Sequence, residues 1–306
     1  MKKKILIIGA SGFIGTNCLK YFQNKKKYKI YTLTKSKQPY STDVNQIVVD
    51  LINYKKLEKK LNNISFNFVI NTSLYVDHEI DHQKGFRLLN YNLKCTYNLI
   101  FLLNKSKLEK YIHIGSADEY ANNYTKLSED NNVKAKNYYS LSKIFINNYL
   151  ILLNQLENFP VIILRPFLIY GEYQKNNRLI PYIITNGLKN KKIELSSKKT
   201  KRDFLYVDDF INAIYKAMTK KNINGEIFNI SYGSSYSLEE IVKIIKSKIE
   251  SLDVSYNNYR RNYDVPKIVK SANLKAKKIL KWKVNISINT GLIKTINFYR
   301  KFDGKY

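Results

Sequence analysis

Apolar positions along the chain cluster in short runs separated by amphipathic stretches. The run Ile5-Leu6-Ile7-Ile8, within residues 4–8, ends at a glycine and predicts a buried parallel strand. Residues 13–24 have helix character, and residues 28–34 (Tyr-Lys-Ile-Tyr-Thr-Leu-Thr) alternate as a second strand does. Ile47 to Asp50 reads as a third strand, Phe68 to Asn71 as a fourth, Tyr111 to Ile114 as a fifth and Val161 to Leu164 as a sixth. Helical stretches lie between them: a lysine-rich one around Leu57 to Leu61, then Leu88 to Leu103 and Tyr139 to Leu153. Strand alternating with helix implies right-handed crossovers and an α/β fold with a doubly wound parallel sheet. After Pro166 the rhythm changes: a helix at 179–188, another at Ile211 to Met218, a strand at Glu226 to Ile230, a helix at Leu238 to Ile249 and a last one after Ser287.

Gly9-Ala10-Ser11-Gly12-Phe13-Ile14-Gly15 places three glycines directly after the first strand and before the first helix. Glycine lets the backbone turn sharply and approach a pyrophosphate, and the helix N-terminus offers free N–H groups. This makes the fold Rossmann-type. The expected division is a dinucleotide-binding domain over 1–167, to which 203–230 return, and a smaller C-terminal substrate-binding domain over 168–202 and 231–306. At the end of the second strand, where a carboxylate would hold the ribose hydroxyls of NAD, stand Thr34 and Lys35-Ser36-Lys37. That substitution favours NADP(H) and keeps NAD(H) as the alternative.

Composition changes this picture little. The 306 residues are 44% hydrophobic, which is enough for a sizeable core, and no apolar run reaches the roughly 18–20 residues of a membrane helix. Cys18 and Cys95 form no disulfide framework and fit a reducing, cytoplasmic setting. A formal charge of +29 invites a nucleic-acid or membrane partner. However, only seven of the 53 basic residues are arginine, and the lysines are scattered, so the reading is solvated surface charge with neither partner. His78 and His82, four apart beside Asp77, Glu79 and Asp81, lack a clear third ligand, and no metal is expected. His113 reads as a packed core residue, and Asp208-Asp209 as a helix N-cap.

Tyr139 and Lys143 stand i and i+4 on one helix face, where a neighbouring ammonium favours phenolate and suits tyrosine to acid–base work. Ser116, just past the fifth strand, is placed to hydrogen-bond a substrate oxygen whose charge changes. With these motifs the chain resembles the extended short-chain dehydrogenase/reductases, specifically the NAD-dependent epimerase/dehydratase group that modifies nucleotide sugars. The resemblance runs through the glycine turn, Asp50-Leu51, Asn92 with Thr96 and Asn98, Leu164-Arg165-Pro166, Tyr170-Gly171, Arg178 to Pro181, Arg202 to Asp209, Gly225 to Ile230, Arg261 to Pro266 and Leu280 to Trp282.

The resemblance implies Ser116, Tyr139 and Lys143 as catalytic residues. It implies a cofactor site of Gly9, Ser11, Gly12, Phe13, Ile14, Gly15, Thr34, Lys35, Asp50, Leu51, Thr72, Ser73, Asn92, Tyr139, Lys143 and Pro166. Asp118, Arg178, Leu179, Pro181, Arg202 and Arg261 would meet a nucleotide-diphosphate sugar, and the long helices would form a homodimer. The chain departs from the family at Asn71-Thr72-Ser73-Leu74 and at Ala121. Dehydratases commonly carry Thr-Asp-Glu where this chain has Ser116, Ala117 and Asp118, so one candidate acid is gone. The leading expectation is therefore an NADPH-dependent 4-ketoreductase of a 4-keto-6-deoxy nucleotide sugar. The alternatives are a 4-epimerase or 4,6-dehydratase with bound NAD, or a non-catalytic NAD(P)-binding sensor or scaffold.

Overall fold

A computed structural model of the chain describes residues 2–76, 81–103, 107–120, 126–195, 198–257 and 270–302. Contacts divide it into two units, the first comprising Met1–Ala121, Asn132–Arg165 and Ile214–Phe228, the second Asn122–Asn131, Pro166–Ala213 and Asn229–Tyr306.

The central sheet holds seven strands: β1 (Lys3–Ile8), β2 (Tyr28–Thr34), β3 (Val44–Val48), β4 (Phe68–Asn71), β5 (Lys110–Ile114), β6 (Val161–Pro166) and β7 (Ile227–Ile230). Their order across the sheet is β7-β6-β5-β4-β1-β2-β3, and the pairs from β3 through to β6 run parallel. The chain winds outward from β1 in one direction and then from β4 in the other, which is the doubly wound arrangement. The order reverses between β1 and β4, where such sheets open a ligand crevice at their carboxyl ends. Strands buried on both faces read as continuous apolar runs, and Ile5 to Ile8, Val69, Ile70, Ile112 and Val161 to Leu164 have no exposed surface. The third strand lies three residues earlier than its apolar run suggests. Asn45 and Gln46 pair with Tyr31 and Thr32, which leaves Asp50 in the loop beyond the strand end.

Helices α1 (Phe13–Gln23), α2 (Tyr54–Leu61), α3 (His82–Leu103) and α4 (Tyr138–Glu157) belong to the first unit. α3 begins six residues before its apolar stripe, because its polar first turns are solvent-facing. Within it, Gly85 lies against Tyr138, where a Cβ would come within 1.9 Å of the ring. α4 starts at Asn137, whose side chain accepts from the Ser140 N–H, and stops at Asn158 in the left-handed conformation.

In the second unit, α5 (Leu179–Leu188), α7 (Leu238–Lys246) and α9 (Ile288–Phe302) pack together, and α6 (Val207–Thr219) begins there. α8 (Leu274–Ile279), which the sequence pattern did not show, lies in the same unit. Asp208 and Asp209 lie in the first turn of α6, one and two residues after its first residue, Val207. The Asp209 carboxylate accepts the backbone N–H groups of Asn285 at 3.1 Å and Ile286 at 3.0 Å, while its carbonyl accepts the Trp282 indole. No described helix is long and apolar enough to cross a membrane.

Candidate active site

β1, β4 and β5 bring the first parts of the site together. Ile8 is in register with Asn71, and Asn71 with His113, so Gly9, Thr72-Ser73 and Ile114 to Ser116 leave the sheet side by side. Gly9 turns with φ +75°, and the Gly12 N–H closes the turn on the Gly9 carbonyl at 2.9 Å. A Cβ on Gly9 would lie 2.8 Å from Ser73 Cα, and one on Gly15 would lie 2.1 Å from the Gly9 oxygen. The turn is therefore a backbone cradle that side chains would fill. Gly12, as N-cap, adds no side chain to the α1 N-terminus, which leaves the N–H groups at the start of that helix for an outside acceptor. Ser11 and Gly12 are exposed, and Phe13 and Ile14 are half-buried. These features fit a dinucleotide pyrophosphate.

Thr72 Oγ1 donates to the Ile8 carbonyl at 2.7 Å, and Ser73 donates to the Asn71 side chain, so both act first as clamps on the strand ends. At the β2 end, Thr34 is buried and donates to the Ser36 carbonyl, while Lys35 is exposed. Lys35 reaches the Asp50 carboxylate at 3.3 Å and lies 4.4 Å from the centre of the Tyr91 ring. Tyr91 also donates its hydroxyl to Asp50 at 2.7 Å. Burial pushes the Asp50 carboxyl up, but the bonds from Tyr91, the Ile52 N–H and Lys35 outweigh it and hold the group below its ordinary range. Leu51 is buried beside it, and Pro166, the last residue of β6, is half-buried.

Asn92 is engaged within the fold. It has no exposed surface, and its amide is occupied: it accepts from the Tyr75 N–H at 2.9 Å and donates to the Tyr75 carbonyl and to Ser142 Oγ. It holds the loop after β4 in place.

Tyr139 and Lys143 are both buried on α4, with the Lys143 nitrogen 5.6 Å from the centre of the Tyr139 ring. Lys143 donates to the Ile114 carbonyl at 2.5 Å, which anchors the ammonium to the strand that delivers Ser116. Burial lowers Lys143 to about 8, against an opposing pull from the Glu119 carboxylate. Ser116 is half-buried and its Oγ accepts the Asp118 N–H at 3.1 Å, so its hydroxyl proton points elsewhere. Asp118 is half-buried beside it.

Glu119 and Asn147, not singled out from the sequence, lie behind this set with Arg165 of the Leu164-Arg165-Pro166 motif. Glu119, with no exposed surface, accepts the Ser116 N–H at 2.7 Å, the Asn147 amide at 2.6 Å and Arg165 Nε at 2.7 Å. The Ser-x-x-Glu spacing of a capping box was the available signal. His113 is fully buried, as its strand position suggested, and among the described residues neither ring nitrogen has a hydrogen-bond partner.

Of the remaining predicted residues, Arg178 is exposed at the N-cap of α5, Leu179 is half-buried and Pro181 is buried in the helix's first turn. Arg202 is half-buried and donates to the Lys201 carbonyl at 2.8 Å. Arg261, Ala121 and His78 fall outside the described residues. His82 shares a hydrogen bond with the Tyr138 hydroxyl.

Among curated relatives, the chain is 25% identical to human dTDP-D-glucose 4,6-dehydratase, over 98% of this chain and 90% of the relative. It is 28% identical to GDP-6-deoxy-D-talose 4-dehydrogenase of Aggregatibacter actinomycetemcomitans, over 87% of each chain. Its fold matches UDP-glucuronic acid 4-epimerase from Bacillus cereus, solved with UDP-glucuronic acid and NAD. That match has a TM-score of 0.88 at 23% identity and covers 98% of this chain and 99% of the other. Residues 5–231 match the shared sequence pattern of one family, and the chain accordingly belongs to the NAD dependent epimerase/dehydratase family.

Proposed function

We propose that this protein moves a hydride between a nicotinamide dinucleotide and C4 of a nucleotide-activated sugar, and that its net reaction is NADPH-dependent reduction of a 4-keto-6-deoxy sugar. The observation that carries the reading is the buried Tyr139–Lys143 face, anchored through Ile114 to the strand bearing Ser116. The nicotinamide, when bound, supplies the hydride. Ser116 donates its hydroxyl proton as a hydrogen bond to the carbonyl oxygen of the sugar. Tyr139 passes its phenol proton to that oxygen as it becomes an alkoxide, and the Lys143 ammonium stabilises the phenolate left behind.

Elimination across C5 and C6 needs an acid and a base beside the hydroxyl, and Ala117 leaves only Asp118 to serve. The talose relative is named a 4-dehydrogenase, a hydride transfer at position 4 whose reverse is this reduction. Gly9, Ser11, Gly12, Phe13, Ile14 and Gly15 hold the pyrophosphate in this reading, and Thr34, Lys35, Asp50 and Leu51 hold the adenosine end. Arg178, Leu179, Arg202 and Arg261 are assigned to the sugar nucleotide on resemblance alone. Six apolar side chains, Phe86, Tyr97 and Phe101 on α3 and Phe145, Leu152 and Leu156 on α4, are 45–72% exposed, which supports a homodimer built on these helices.

A second reading, a 4-epimerase that retains NAD, is favoured by one observation: Lys35 is already engaged by Asp50 and Tyr91 and is not held ready for a 2′-phosphate. The test is a panel of 4-keto-6-deoxy sugars on GDP, CDP, dTDP and UDP with NADPH or NADH. Loss of reduced-nicotinamide absorbance, faster with NADPH, supports the reductase. No loss, with NAD co-purifying, overturns it for the epimerase. Tyr139→Phe should lower turnover by about 10²–10⁴-fold and leave cofactor binding intact. An activity that survives this change identifies a binding protein.

A further inference from the structure

The mechanism above leaves Glu119, Asn147 and Arg165 without a part. They are nevertheless among the few buried polar groups next to the reacting side chains. Tyr139, Lys143 and Asn147 recur at i, i+4 and i+8 along α4, so they form one stripe. Glu119 joins that stripe to two other elements. One carboxylate oxygen takes the backbone N–H of Ser116, and the other takes Asn147 of α4 and Arg165 at the end of β6. Arg165 continues outward to the Tyr120 hydroxyl at 3.1 Å and lies over that ring at 5.0 Å. Gly115 makes room for the arrangement: a Cβ there would lie 2.7 Å from the Glu119 oxygen and 3.1 Å from Arg165. The side chains of the ion pair are 0% and 6% exposed, so neither charge is screened by water.

Resting on the reading of the site as Ser116–Tyr139–Lys143, we infer that Glu119 is a positioning residue that locks the Ser116 backbone to the Tyr139–Lys143 face of α4. Tyr139 from its own helix, His113 from β5 and Glu119 from the turn after β5 act on Lys143, whose ammonium also donates to the Ile114 carbonyl. Burial and Lys143 keep His113 well below its ordinary range, hence neutral, which leaves the Glu119 carboxylate as the anion that supports the ammonium. Arg165 balances that anion, so removing it leaves an unbalanced cation in the same buried space.

The experiment compares wild type with Glu119→Gln. Glutamine can still accept the Ser116 N–H, but its amide nitrogen then faces the donors of Arg165 and Asn147. Three results are expected. Amide exchange at Ser116, read by hydrogen–deuterium exchange of the holoprotein, accelerates about tenfold or more, as expected for loosening a bond to a charged acceptor. kcat falls by about tenfold or more while the NADPH dissociation constant stays within about threefold. The alkaline limb of the kcat profile moves down by roughly a pH unit, because the ammonium has lost its counter-anion.

Asn147→Ala leaves the Glu119–Arg165 pair in place and serves if the first variant does not fold. It should loosen the α4 link alone, lowering kcat several-fold with Ser116 exchange unchanged. A lower melting temperature with unmoved Ser116 exchange, kcat and pH limb would make Glu119 merely structural and overturn the inference. The exchange arm needs no substrate. If wild type reduces no keto sugar, the functional reading fails while the positioning claim is still decided.

Discussion

Gly15→Ala tests the cradle most directly. A Cβ on Gly15 would sit 2.1 Å from the Gly9 carbonyl oxygen and 2.7 Å from Ala10 Cα, both backbone atoms that cannot rotate away. Carbon and oxygen approach to about 3.3 Å at closest, so the turn or the start of α1 must shift by about 1.2 Å. Alanine inside a helix gains roughly 1 kcal/mol over glycine, whereas overpacking of this kind costs about 1–3 kcal/mol. The two largely offset, and the net loss of stability is about 0–2 kcal/mol. Binding has no such offset, because the displaced Gly9 carbonyl closes the turn on the Gly12 N–H and so shapes the cradle. The expected loss of dinucleotide affinity is about 10–100-fold, or roughly 1.4–2.8 kcal/mol. Gly12→Ala is the companion: its Cβ would lie 3.3 Å from the same oxygen, so the fold should hold, but the methyl would stand at the open N-terminus of α1 and affinity should fall there too. NADH and NADPH fluorescence titrations, with a thermal melt of each variant, give both numbers. A Gly15→Ala protein that binds as tightly as wild type would refute the reasoning, since a turn that yields so readily is not a cradle.

Other outcomes follow from the same geometry. His113 is buried, and burial followed by the Lys143 charge lowers its pKa well below 6.5; the unfolded chain therefore takes up the proton first as pH falls. Stability should decline below about pH 6.5 by up to roughly 1.4 kcal/mol per unit until the folded imidazole itself titrates. His113→Leu should flatten that slope in denaturant melts run between pH 5 and 7. Lys35→Ala should weaken NADPH by about tenfold relative to NADH if the lysine leaves Asp50 for a 2′-phosphate; equal loss of both would favour the NAD reading. Phe101→Glu with Leu156→Glu places charges on the apolar face of α3 and α4, and the particle should be a monomer by light scattering with its melt unchanged.

The alternation of short apolar runs with amphipathic stretches carried most of the fold. β2, β4 and α5 lie where the pattern placed them, because a strand buried on both faces or an amphipathic helix must show its period in the residues themselves. The glycine turn was equally legible, since only glycine meets the space left at Gly9 and Gly15. So were Ser116, Tyr139 and Lys143 as candidates, through their place after β5 and their helical spacing. Helix ends were less so: polar first turns such as His82 to Arg87 carry no apolar stripe to count. Tertiary structure alone decided which polar groups were spent. Asn92 is closed on Tyr75 and Ser142, Asp209 on the backbone of Asn285 and Ile286, and Lys35 on Asp50. Glu119 joins groups 28 and 46 residues away in the chain. A hydrogen bond is a short-range, directional match between two atoms, and periodicity records which face a residue occupies but not which distant partner the folded chain brings to it.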